Sequence, residues 1–99
     1  MVRISWARLS VDDLKSIAEY IGRESKYYAK VQILKISNRT KVLKLQPYSG
    51  KIVPEVNDEI IPELIEGNYR IIYEITSEEL ITILTVHHSS RDLNTRKFI

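Results

Sequence analysis

The chain has 99 residues, 28% of them charged and 43% hydrophobic, with no cysteine and a formal net charge of +2. That length suits a single domain over residues 1–99 with one core of its own. The composition excludes a disulfide scaffold, a thiol nucleophile and a cysteine zinc site, and no apolar run approaches the ~20 residues that span a bilayer. Met1-Val2-Arg3-Ile4-Ser5-Trp6 has no apolar stretch behind its charge, so no signal peptide is expected and the expected location is cytoplasmic.

Val2 to Trp6 alternates apolar and polar residues, which predicts a short half-buried strand. Ser10 then offers an N-cap with Asp13 at the capping-box position. Leu14, Ile17, Ala18 and Ile21 recur at helical spacing, and Asp12 and Asp13 fall in the expected first turn, where they complement the helix dipole. Gly22 marks the end of this helix. Ser25 is a second N-cap, so the next helix starts almost at once and folds back as a helical hairpin. The second helix is predicted over about residues 26–45, stopping before Pro47. It carries two apolar stripes: Ala29, Ile33, Ile36, Thr40 and Leu43, and Tyr27, Val31, Leu34, Asn38 and Val42. Two stripes predict burial on two sides, or one stripe left for a partner.

Gln46-Pro47-Tyr48-Ser49-Gly50 is turn chemistry, and residues 51–62 read as a long loop with at most a short extended piece. Residues 63–66, 69–76 and 80–88 are rich in Ile, Tyr, Thr and Val and predict three strands. Gly67-Asn68 forms a two-residue hairpin turn between the first two, and residues 76–79 form the second turn. Ser89 to Ile99 is polar and reads as a tail. The order predicts an α+β domain: an N-terminal strand, a helical hairpin, then a three-stranded antiparallel meander.

The small net charge is a cancellation. Residues 1–54 hold 11 Lys/Arg against 4 Asp/Glu, a balance of +7, and residues 55–66 hold five acids and no base. Residues 67–99 balance. The stretch from Lys26 to Lys44 contains six basic residues and no acid. Such a helix attracts polyanions or an acidic protein segment; as a solvated surface it would simply keep the chain soluble.

The motifs, in this order and at this length, resemble the RelE/ParE superfamily of toxins from type II toxin–antitoxin systems. The resemblance is carried by Trp6 to Leu14, Gly50-Lys51-Ile52-Val53-Pro54-Glu55, Gly67-Asn68-Tyr69-Arg70-Ile71-Ile72-Tyr73 and Val86-His87-His88-Ser89-Ser90-Arg91-Asp92-Leu93. The 50–55 loop and the last motif look more like the ParE branch. The resemblance implies a toxin neutralised by a cognate antitoxin. ParE-like members bind and poison DNA gyrase; RelE-like members cut messenger RNA on the ribosome. A third reading is a degenerate homologue that only pairs with its antitoxin in autoregulation.

Metal-independent endoribonuclease chemistry needs a base for the 2′-hydroxyl, an acid for the leaving oxygen and a fixed cation at the phosphate. The candidates are Glu55, Arg70 and His88, with Arg91 as a second cation, and some RelE-like members use a similar set. On the 69–76 strand, parity puts Arg70 on the more polar face. On the 80–88 strand both sides are apolar, so parity does not say which histidine faces Arg70. Each candidate also has an ordinary structural use, such as pairing of Arg70 with Glu63, Glu66 or Glu74 across the sheet. The acidic 55–66 segment departs from a basic RNA-binding face. Candidate partner-binding residues are Lys26, Lys30, Lys41, Lys44 and Arg91, facing an acidic, amphipathic antitoxin segment. His87 and His88 are adjacent and point apart, so no shared metal and no cofactor is expected.

Overall fold

Alternating apolar residues in the C-terminal third build the sheet on which everything else rests. A computed structural model describes residues 1–99. Its elements are β1 (Arg3–Trp6), α1 (Arg8–Gly22), α2 (Lys26–Arg39), β2 (Lys51–Ile52), β3 (Pro62–Glu66), β4 (Tyr69–Ile75) and β5 (Leu80–His88). The three expected strands are β3, β4 and β5, joined as an antiparallel meander. Gly67 takes a φ of 58° at the first central position of the β3–β4 turn, a backbone setting that glycine adopts without steric cost. β1 adds in parallel against β5, and the short β2 pairs antiparallel with β3. The sheet is therefore five-stranded, in the order β1-β5-β4-β3-β2.

A bulge interrupts the β4–β5 ladder: Ile72 pairs with Thr85 but Tyr73 pairs with Ile83, leaving Leu84 over. On the C-terminal side of the bulge, Val86 points to the helices; on the other side, Ile83 and Ile81 do. That inversion is why both parities of β5 read as apolar.

The helical hairpin lies on one face of the sheet. Its first apolar stripe enters the core: Ile36 and Leu43 are fully buried with Ile71, Tyr73, Ile81 and Ile83. Each such isoleucine or leucine contributes about 1.5–3 kcal/mol through burial. The second stripe of α2 stays largely uncovered, with Tyr27, Leu34 and Asn38 exposed and Val31 and Val42 half-buried. The opposite sheet face carries a smaller core of Val53, Ile61, Ile72 and Leu93, flanked by Val56, Leu84 and Phe98.

Four local expectations are corrected. Ser10 is not an N-cap. Ala7 closes the β1–β5 pairing by donating to the Ile83 carbonyl, so α1 starts at Arg8, and the Ser10 hydroxyl donates back to the Ala7 carbonyl at 2.6 Å. Asp12 and Asp13 consequently lie beyond the first turn, and Asp13 turns toward β5. The second helix tightens to a 3-10 turn over Thr40–Lys44, where the Thr40 hydroxyl donates to the Ser37 carbonyl. The C-terminal segment is no free tail, because Leu93 is buried and Phe98 packs beneath the sheet. Ser25 does cap α2, accepting from the Tyr28 amide at 3.1 Å.

Candidate functional site

Register decides which side chains share the polar face. Arg70 pairs with His87 across β4–β5 and with Ile65 across β3–β4, so Glu63 is its diagonal neighbour. The loop after β2 brings Glu55 over the same face. Arg70 Nε donates to Glu63 Oε1 at 2.7 Å, Nη1 to Glu55 Oε2 at 2.8 Å, and Nη2 to both Glu55 Oε1 at 2.7 Å and Glu63 Oε2 at 3.2 Å. Every nitrogen of the guanidinium is thus spent on a carboxylate. Glu63 is buried, at 3% side-chain exposure, and Arg70 is nearly so at 13%. The hydrogen bonds from Arg70 hold the Glu55 carboxyl down at about 2, against a smaller opposing effect of burial. The carboxylates in turn push the Arg70 guanidinium further up, Glu55 first.

The two histidines go opposite ways. His87 lies on the Arg70 face and is 1% exposed. Its Nε2 meets the Arg91 carbonyl at 2.9 Å, where it can only donate, and its Nδ1 faces Arg96 Nη1 at 3.4 Å. His88 lies on the helix side, edge-on to Tyr69 at 5.2 Å. Its Nδ1 accepts from the Ser90 amide at 3.1 Å and the Ser90 hydroxyl at 2.7 Å. Of the set Glu55, Arg70 and His88, the first two meet and the third does not join them.

The candidate partner-binding residues fall in three places. Lys26 and Lys30 rim a groove between α1 and α2 with an apolar floor of Ala18, Gly22, Ala29, Ile33 and Leu34. Lys41 and Lys44 lie beside β1, near Val2, Ile4 and Trp6. Arg91 lines a polar groove between α1 and the end of β5, with Tyr20, Arg23 and His88. Tyr20, Tyr27 and Tyr28 are each at least 65% exposed, which leaves a large aromatic surface on the hairpin.

Two residues missing from the sequence reading of the site, Asp13 and Arg96, complete this region. Asp13 accepts from the Thr85 hydroxyl and from the Val86 amide at 3.0 Å, capping β5 where β1 has ended. Arg96 Nη2 donates to Asp13 Oδ1 at 2.7 Å. Glu63, one of the three carboxylates weighed from sequence as a partner for Arg70, is the one of them that pairs with it. Asp13 had a sequence signal, since an acid on the apolar side of an amphipathic helix needs a partner; Arg96 had none.

A helical hairpin packed on one face of a mixed five-stranded sheet, with an arginine–carboxylate cluster on the other, makes this a small α+β domain. The model of the ParE toxin of type II toxin–antitoxin systems matches residues 4–93, so the chain belongs to that family. No curated protein matches the sequence. Among solved structures, a chain from the chromosomal ParDE toxin–antitoxin system of P. aeruginosa is similar, with a TM-score of 0.70 and 20% identity. The match covers 89% of this chain and 96% of that one, and it shows a shared fold. No helix is long and apolar enough to cross a membrane.

Proposed function

We propose that this toxin arrests growth by binding a protein target, DNA gyrase, in the cytoplasm, and that a cognate antitoxin neutralises it. The supporting observation is the state of Arg70. A ribonuclease needs a cation free to meet a phosphate, and both carboxylates of Glu55 and Glu63 occupy this one. His88, on the other face, adds no base to the pair. What the chain offers instead is a protein-binding surface: exposed tyrosines and Leu34 beside an acid-free basic helix. The antitoxin reading follows from family membership and from charge. An acidic, amphipathic segment would seat apolar residues in the α1–α2 groove and carboxylates against Lys26 and Lys30.

Inducible expression tests the target. Growth arrest with relaxed plasmid DNA and intact messenger RNA is the expected result. Growth arrest with messenger RNA cut on ribosomes would replace this reading with the nuclease one, and no arrest would favour a degenerate partner of the antitoxin. For the antitoxin contact, Lys30→Glu should weaken binding and flatten its salt dependence. Salt-insensitive binding unaffected by Lys30→Glu and Lys41→Glu would contradict the electrostatic part.

A further inference from the structure

We propose that the segment from Ser89 to Ile99 is a releasable strap, latched to α1 by the Asp13–Arg96 ion pair, and that it masks His87 beside Arg70 and Glu55. This inference rests on the placement of these residues and stands whichever target the toxin has.

His87 lies next to the end of β5, yet it is almost wholly shielded, and the groups that meet both its ring nitrogens belong to this one segment. The strap is held in an unusual way. Ser89 donates to the Asn68 carbonyl, but no backbone hydrogen bond joins residues 90–99 to the sheet beyond His88. The backbone bonds that Arg91, Thr95 and Arg96 donate stay within residues 88–96. Attachment therefore depends on contacts that involve side chains: Leu93 in the lower core, Phe98 against its edge, Arg96 on Asp13, and the Arg91 carbonyl and Ser90 on the rings of His87 and His88. A segment without ladder bonds opens at lower cost than the strands beneath it.

The latch has a position from which it can be worked. Asp13 and Arg96 both line the polar groove between α1 and the end of β5, together with Tyr20, Arg23 and Arg91. A partner carboxylate that takes Arg96 from Asp13 removes the charged latch and leaves the strap on Leu93, Phe98 and the Arg91 carbonyl contact with His87. Once it lifts, both nitrogens of the His87 ring are open to proton transfer on the face that already carries Glu55 and Arg70. Closed, that face offers no free acid–base group of this kind.

Diethyl pyrocarbonate labelling of the full chain, read by mass spectrometry, tests the mask, because the reagent acylates accessible imidazole nitrogens. His87 should react about tenfold or more slowly than His88 in the unaltered chain. Arg96→Ala should bring His87 to a rate near that of His88, while Arg96→Lys keeps most of the protection. Unchanged protection in Arg96→Ala would overturn the proposal. So would protection lost only in step with unfolding of β4 and β5. Hydrogen exchange on the unaltered chain gives an independent reading that needs no variant. The Thr95 and Arg96 amides should exchange through an opening that leaves the Ile71 and Ile72 amides protected. Exchange of all four through one common opening would show that the strap is an integral part of the fold and would end the proposal.

Discussion

Removing the Arg70 guanidinium leaves Glu63 with no hydrogen-bond donor to its carboxylate, at 3% exposure, in the floor of the sheet. Breaking a buried ion pair by deleting one partner costs about 3–5 kcal/mol, because the surviving charge stays desolvated. Set against a total stability of about 5–15 kcal/mol for a domain, Arg70→Ala should leave a marginal fold. Glu55 adds less, since its carboxylate is 26% exposed and water screens the pair; Glu55→Gln should cost about 1 kcal/mol or less. The double variant Arg70→Met/Glu63→Leu removes both buried charges and fills similar volume, so it should recover most of the loss. Urea unfolding of the four chains measures these differences. An Arg70→Ala cost below about 1 kcal/mol, or a double variant as damaged as the single one, would show that the uncompensated Glu63 charge does not set the loss. The result also bears on function: a loss of toxicity in Arg70→Ala would reflect lost folding as readily as lost chemistry, so Glu55→Gln is the better functional probe.

Other outcomes follow from the same structure. The Glu55 carboxyl is held at about 2 against an ordinary 4.5, so its contribution to stability is complete above 4.5 and is lost as pH falls toward 2. Acid titration of the urea midpoint should show that loss, and Glu55→Gln should remove it. Gly50 touches Tyr73: a Cβ there would meet the Glu63 carbonyl at 2.7 Å and Tyr73 Cε1 at 2.9 Å. Gly50→Ala should therefore destabilise by about 1–3 kcal/mol in thermal melts. Asp13→Ala removes the acceptor of the Thr85 hydroxyl, the Val86 amide and Arg96. It should cost about 1–3 kcal/mol and speed exchange of the Val86 amide, where a neutral surface change would leave both unaltered.

Much of this architecture is legible in local sequence. Ser25 caps α2 because a short hydroxyl before an apolar-periodic run has one good use there, and Gly67-Asn68 turns the hairpin because glycine accepts the positive φ. The first stripe of α2 is the buried one, while spacing alone leaves open which of the two faces the sheet. What failed needed tertiary facts. Ser10 looks like a cap only if α1 starts late, and the pairing of Ala7 with Ile83 starts it early. The polar segment after Ser89 hides two anchors, Leu93 and Phe98, in a sequence with no period to expose them. Glu55 and Arg70 were found together by motif. His87 was missed because a single bulge at Leu84 inverts the alternation of β5, which lets both faces look apolar and gives no reason to prefer one histidine.

The proposed mode of action is occupation of a protein target, with nucleic acid left uncut. Purified chain added to DNA gyrase in a supercoiling assay, beside ribosomes programmed with messenger RNA, tests it directly. The expected result is inhibited supercoiling, relieved by the antitoxin, with the messenger intact. Messenger cut at the ribosome while supercoiling proceeds unhindered would contradict it.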